Sequence, residues 1–287
     1  MSEHRFGGPW TVEKLDALRG YLNGYAQALK NQPFTRLYID AFAGTGDRSA
    51  KQQAATLLDM PDLDEMTKGS ARIALEVEPP FARYIYIEKR QRRSSALEHL
   101  RSEFPARSIE ILNEDANAAV QRICGETDWR FNRAVLFLDP YGMQVSWETL
   151  EAVAATKAID VWMLYPTGMG LNRLLTKNGK IPLEWEQTLN RSLGCPDWQD
   201  AFYQEIQTLD LFGDTTTTLV KQTNTAKFEG FLIERWRTIF AGVAPETLPL
   251  RNSKGQVMYL LGFACGNPRG VVLAMKIARS VIKKRRR

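Results

Sequence analysis

The chain is poor in the residues from which many reactive centres are built. Its 287 residues include two histidines, His4 and His99, and three widely separated cysteines, Cys124, Cys195 and Cys265. So few histidines argue against a His-based hydrolase, and no cysteine pair has metal-ligand spacing, which argues against a zinc site. The cysteines read as small buried apolar residues. Long hydrophobic runs are also missing: nothing approaches the roughly 20 apolar residues of a membrane span. The first ten residues, MSEHRFGGPW, have no apolar core of the kind a secretory signal carries. A cytoplasmic protein without membrane contact is the expectation.

What is present is an ordinary globular mixture, 44% hydrophobic and 25% charged. It is long enough for one domain spanning residues 1–287 with an appendage. The net charge of +5 is mild, but the basic residues cluster in two places, Lys89 to Arg93 and Lys283 to Arg287, the latter in a tail over 281–287. Clusters of this kind raise the expectation of a polyanionic partner, a nucleic acid.

The chain is organised around Leu37 to Asp47, LYIDAFAGTGD. An apolar, β-branched strand ends in Asp40 and gives way to a small-residue turn, Ala41, Phe42, Ala43, Gly44, Thr45 and Gly46. Glycines after a strand let backbone approach a ligand and expose its N–H groups. No lysine follows the second glycine, so a phosphate-gripping P-loop is not met, and the third glycine of the dinucleotide fingerprint is absent. An acid at the strand end suits a cationic or hydroxyl-bearing ligand.

Before this strand, Leu15, Leu18, Leu22, Tyr25 and Leu29 fall at helical spacing, with Thr11 as N-cap and Thr11 and Lys14 as further candidates for ligand contact. After it, residues 48–68 show no sustained period and read as a loop beside the glycines, a candidate lid. A helix is expected from Gly69-Ser70 to about Glu78, then a strand at Tyr84–Ile87 ending in Glu88-Lys89. An acid there commonly binds ribose hydroxyls, since two carboxylate oxygens match a cis-diol. A third strand, Ile109–Leu112, leads to Asn113, Asp115 and Ala116, where a polar side chain could meet an adenine edge or cap the next helix. The run AVLFLDPYG, residues 134–142, reads as a central strand buried on both faces, ending in Asp139, Pro140, Tyr141 and Gly142. There the carboxylate can accept from an amine, the proline fixes the turn and the tyrosine offers a face for a flat ring. A fifth strand follows at Ile159–Leu164. Strand and helix alternate to this point, which predicts a mostly parallel α/β sheet with helices on both faces. Residues 170–224 read as a mostly helical insertion. A helix at Lys227–Phe240, a strand at Val257–Phe263, a turn at Asn267–Gly270 and a terminal helix complete the chain.

In this order the pieces resemble a class I S-adenosylmethionine-dependent methyltransferase over about residues 36–165. The resemblance implies a Rossmann-like fold with S-adenosyl-L-methionine as cofactor and S-adenosyl-L-homocysteine as product. The backbone of Ala43 to Gly46 would approach the methionine part and Asp40 its amino group. Glu88 matches the ribose acid, and Asn113 or Asp115 the adenine side. Asp139-Pro140-Tyr141-Gly142 falls where amino-methylating members carry Asp/Asn-Pro-Pro-aromatic. It is nearer to the Asp-Pro-Phe-Gly of enzymes that methylate the exocyclic amine of tRNA guanine. Nearly the whole chain, through Pro9-Trp10-Thr11, Lys14-Leu15, YIDAFAG, Tyr86-Ile87-Glu88, LFLDPYG and Asn267-Pro268-Arg269-Gly270, resembles the bacterial three-Cys-motif partner family. That likeness implies a separately encoded three-Cys-motif protein as partner. The expected activity is methyl transfer to a nitrogen, an exocyclic nucleobase amine in RNA or DNA. The alternative is a non-catalytic, cofactor-binding partner subunit. No resident metal is expected, although Asp40, Glu88 and Asp139 at neighbouring strand ends leave a metal-dependent nuclease as a third reading.

Overall fold

Alternation along the central strands sets the architecture. In β1 (Thr35–Asp40), Leu37 and Ile39 enter one apolar layer and Tyr38 the other. In β4 (Asn132–Leu138), Ala134, Leu136 and Leu138 face the first layer and Val135 and Phe137 the second, all five at most 1% exposed. A strand this apolar on both faces needs helices on both sides. The computed structural model describes residues 9–43, 63–209 and 215–286. Gly44, Thr45 and Gly46, with residues 48–62 of the expected lid, lie outside the described residues.

Between β1 and β4 the chain runs through α2 (Leu63–Leu75), β2 (Arg83–Ile87), α3 (Gln91–Glu103), β3 (Ile109–Leu112) and α4 (Ala116–Glu126). The helix α1 (Pro9–Leu29) precedes β1; α5 (Trp147–Ala155) and β5 (Ile159–Tyr165) follow β4. A π-helical turn at Thr167–Leu171 then runs into α6 (Asn172–Leu174), α7 (Leu183–Leu193), α8 (Trp198–Phe202) and the strands β6 (Tyr203–Leu209) and β7 (Thr215–Lys221). The rest is α9 (Thr225–Arg237), β8 (Gly242–Val243), β9 (Leu248–Arg251), β10 (Val257–Cys265) and α10 (Val271–Arg285).

Eight strands form one sheet in the order β3-β2-β1-β4-β5-β10-β8, with β9 also pairing with β10. The first five are parallel; β10 is antiparallel to β5, and β8 is antiparallel to β10. Helices α1, α2, α3 and α10 cover one face, and α4, α5, α7, α8 and α9 the other. The order reverses between β1 and β4, and open sheets of this kind take ligands at that switch, outside the carboxyl ends of the strands. This is the mostly parallel, Rossmann-like α/β sheet with helices on both faces expected from the sequence.

Several local expectations change. The helix α1 begins at Pro9, a residue suited to a first helical position, so Thr11 sits inside the first turn and is no N-cap. Residues 63–68, assigned to the loop, belong to α2, which starts before Gly69. The segment 170–224 contains, besides helices, an antiparallel hairpin of β6 and β7. Its second strand is built on the threonine run 215–218, a β-branched signal outweighed in the sequence by the surrounding aromatics.

One helix links the two ends of the molecule. Near its start Lys14 Nζ donates to Asp139 beyond β4 at 2.5 Å, and further along Tyr21 Oη donates to Asp160 at the start of β5 at 2.6 Å.

Candidate functional site

The carboxyl ends of β1, β2 and β3 open on a cavity of about 240 Å³ whose lining includes Ala41, Phe42, Glu88, Lys89, Asp115 and Ala116. The chain leaving β1 stays on the sheet: Ala41 N–H donates to Phe137 O at 3.1 Å and Ala43 N–H to Ile87 O at 2.9 Å. This holds Asp40 at 1% exposure. Burial pushes its carboxyl up to about 7, and the Asp139 charge adds to this; hydrogen bonds from Ser70 and Tyr38 and the Lys14 charge pull the other way. A carboxylate kept this dry gains most from a ligand that brings its own positive charge.

Glu88, 5% exposed, uses Oε1 to accept from the Arg90 N–H at 2.7 Å, which fixes its direction at the end of β2. Asp115 does cap α4: Oδ1 accepts from the N–H groups of Asn117 and Ala118. Its Oδ2 lies 3.6 Å from Lys89 Nζ. Asn113 is exposed and does not line the cavity, so of the two adenine-side candidates the structure brings only Asp115 to it.

A second group of side chains gathers on the other side of β1. Lys14 is fully buried, and its contact with Asp139 Oδ2 is its only hydrogen bond among the described residues. Trp10, one turn earlier on α1, places its ring 5.4 Å from that ammonium and stacks on Tyr259 of β10 at 5.1 Å. Thr11 lies on the same side of the helix, and its Oγ1 is sealed from solvent without a hydrogen-bond partner among the described residues. Asp139 keeps 22% of its side chain exposed, Pro140 is buried, and Tyr141 and Gly142 are half-buried. Here, then, are a dry ammonium with unspent donors near the carboxylates of Asp139 and Asp40, and on the same helix face a buried hydroxyl with no partner among the described residues. Buried polar atoms left in this state are at odds with the rule that such groups find partners, and an anionic group would satisfy them.

Four contributors were not picked out from the sequence. Gln144 Oε1 accepts from the Tyr141 N–H at 3.1 Å. Asn117 ties the same loop to α4, donating to Gln144 O at 2.9 Å and accepting from Ser146 N–H at 2.9 Å. Arg191, from α7, reaches the cavity and donates to Met143 O at 3.3 Å. Tyr259 lies against the loop; burial and the neighbouring Asp139 and Tyr141 push its hydroxyl pKa well up. The run from Asn113 to Asn117 was a visible polar signal, whereas nothing local in the sequence marks Arg191 or Tyr259. Among the described residues no group of histidine, cysteine and acidic side chains is placed to hold a metal ion.

No protein-family model matches this chain, and no curated protein matches it. The solved structures it is similar to are distant. A Legionella pneumophila protein is 12% identical over 94% of this chain and 92% of its own, with a TM-score of 0.48. An S-adenosylmethionine-dependent methyltransferase from Clostridium acetobutylicum is 8% identical over 86% and 90%, with a TM-score of 0.35. An rRNA methylase from Streptococcus thermophilus is 10% identical over 72% and 95%, with a TM-score of 0.31.

Proposed function

We propose that the protein is an S-adenosylmethionine-dependent methyltransferase acting on a nitrogen, an exocyclic amine of a nucleobase in RNA or DNA. The observation that carries this reading is the meeting of three strand ends at one switch point. Glu88 lines a cavity, Asp40 is buried one residue before the lining residue Ala41, and the Asp139-Pro140-Tyr141-Gly142 loop follows the neighbouring strand β4.

The residues present fit the cofactor. Glu88 would accept from the ribose hydroxyls and Asp115 would lie on the adenine side. Asp40 would receive the ammonium of the methionine part, while Lys14 and Thr11, with donors unspent, would take its carboxylate. The methionine-side stretch assigned from the sequence, Ala43 to Gly46, is described only at Ala43. When bound, the cofactor supplies a methyl group already activated on a sulfonium. The protein's work is then alignment, worth about 7 kcal/mol or more of barrier when the partners are well oriented.

Lys14 fixes one oxygen of Asp139, leaving the other to accept an amine hydrogen. The Pro140 carbonyl would accept the second, aiming the nitrogen lone pair. Tyr141, whose backbone is held by Gln144, would stack on the ring, which in a duplex must first be flipped out. The basic end of α10 lies at this same end of the sheet, since Arg285 Nη2 donates to Asp16 O at 2.8 Å, two residues from Lys14. With Lys89 and Arg90 it offers phosphates a footing.

The test is transfer of label from a radiolabelled methyl donor to cellular RNA, DNA or protein. Asp139→Ala should lower transfer by about 10²-fold or more, as loss of a charge-bearing group in a water-poor site does. Cofactor affinity should stay within about threefold, because the interactions assigned to the cofactor remain. Full turnover in that variant would refute the role of Asp139. Donor binding without transfer, by the wild type alone, would fit the non-catalytic partner subunit instead.

A further inference from the structure

A second cavity, of about 70 Å³, lies at the opposite end of the sheet, outside the amino ends of β4 and β5. Its walls come from the far half of α1, from Phe34, and from the first turns of α10. The turn Asn267-Pro268-Arg269-Gly270, which has no part in the proposed methyl transfer, forms its rim.

Opposite charges line this space without forming a close ion pair among the described residues, although the Arg133 charge pulls against the upward shift of the Asp160 carboxyl. Asp160 is 6% exposed and has no cation partner among the described residues; its carboxylate is held by the Tyr21 hydroxyl at 2.6 Å and the Cys265 thiol. Across from it, Arg133 lies 3.9 Å over the Phe34 ring and donates through Nη1 to the carbonyls of Trp129 and Asn132. Its Nε is sealed from solvent and has no hydrogen-bond partner among the described residues. Arg269 is exposed and pairs with no carboxylate among the described residues, and its charge opposes that of Arg133. The 15-residue helix α10 starts here as well, and its cap residue Gly270 lines the cavity and offers no side-chain cap. The Arg133 guanidinium and the amino terminus of α10 thus line the same cavity as a dry carboxylate, and Arg269 stands in the turn between the lining residues Asn267 and Gly270.

We propose that this cavity binds a small zwitterion of the α-amino acid class. The ligand's carboxylate takes the Arg133 Nε donor, Arg269 and the first N–H groups of α10. Its ammonium takes Asp160, whose present partners are neutral donors. A short apolar side chain lies against Phe34, Leu273 and Ile277, and Leu273, 47% exposed, marks the mouth. A simple anion would satisfy the arginines but set its charge against Asp160; a simple cation would do the reverse. Only a molecule carrying both charges answers the whole lining.

The experiment titrates the full chain with L-alanine, L-alaninamide and N-acetyl-L-alanine, following backbone amide shifts. L-alanine should move residues around Asp160 and Gly270 and saturate below about 50 mM, a weak site. Each blocked form, lacking one charge, should bind at least about tenfold more weakly. Arg269→Ala, at an exposed position that leaves the fold alone, should weaken L-alanine by about the same factor. Asp160→Asn, which retains an acceptor for Tyr21, should do likewise. Equal responses to the three compounds, shifts elsewhere, or unchanged affinity in Arg269→Ala would overturn the proposal.

Discussion

Replacing Lys14 by methionine removes a charge from a place water does not reach. The pair it forms with Asp139 is 2.5 Å long, with side chains 0% and 22% exposed. At an effective dielectric constant of about 20, Coulomb attraction at that distance is ~7 kcal/mol. Drying the ammonium costs several kcal/mol, so the pair as a whole contributes little net stability. Breaking it is another matter: truncating one partner of a buried pair costs about 3–5 kcal/mol, because the other charge is stranded. Asp139 keeps some contact with solvent, so about 3 kcal/mol is the expected loss for Lys14→Met. The double variant Lys14→Met/Asp139→Asn strands no charge and should lose only about 1 kcal/mol. Urea unfolding of the wild type, both single variants and the double variant gives the coupling directly. A coupling below about 0.5 kcal/mol would mean the ammonium is solvated after all, and the account of a dry, unspent Lys14 would fall. The double variant should also remain inactive, separating the stability role of the pair from its proposed role in aligning the acceptor.

Asp40 gives a pH test. Its carboxyl is raised in the folded protein to about 7 from 3.8. Between these values the folded state holds a proton that the unfolded state has released, so stability should fall as pH rises from about 4 to 7 and level off above. Asp160, raised to about 6, adds to the same slope over a narrower window. Asp40→Asn should flatten the Asp40 part, measured by chemical denaturation at stepped pH; an unchanged slope would show that Asp40 is not dry. If an ammonium binds at Asp40, cofactor affinity should climb with pH up to about 7, with proton release detectable by calorimetry in buffers of different ionisation heat. Gly194 closes α7 with φ at +69°, and an added Cβ would sit 2.1 Å from the Trp147 ring. Gly194→Ala should therefore cost about 2 kcal/mol or more in urea unfolding, and a loss under about 0.5 kcal/mol would show that Trp147 yields freely.

The parts of this structure readable in the sequence were those whose reason is local. Five parallel strands announce themselves through runs such as Ala134–Leu138, because a strand covered on both faces has no room for polar side chains. The polar residues that end them, Asp40, Glu88 and Asp139, stand out for the same reason. What stayed hidden depends on contacts across the chain. Thr11 looks like a cap when read alone, and only the position of Pro9 in the folded helix shows it to be an interior hydroxyl. The pairing of Lys14 with Asp139 joins residues 125 apart. Arg191 reaches the cavity because α7 packs beside α5, which no periodicity records. The antiparallel sense of β10 also follows from packing, since its apolar composition suits either direction.

The helix α1 carries a constraint of register. Lys14 and Tyr21 are seven residues apart, two turns along one stripe, and each is bound to an aspartate at an opposite end of the sheet. Deleting any one residue from 15 to 20 would turn one of them by about 100° relative to the other and shift it by about 1.5 Å. Both bonds could not then be kept. Substitutions in this stretch can be absorbed where side chains allow, but its length cannot drift. Among homologues the spacing between the lysine and the tyrosine should therefore be invariant, even where the residues between them are not.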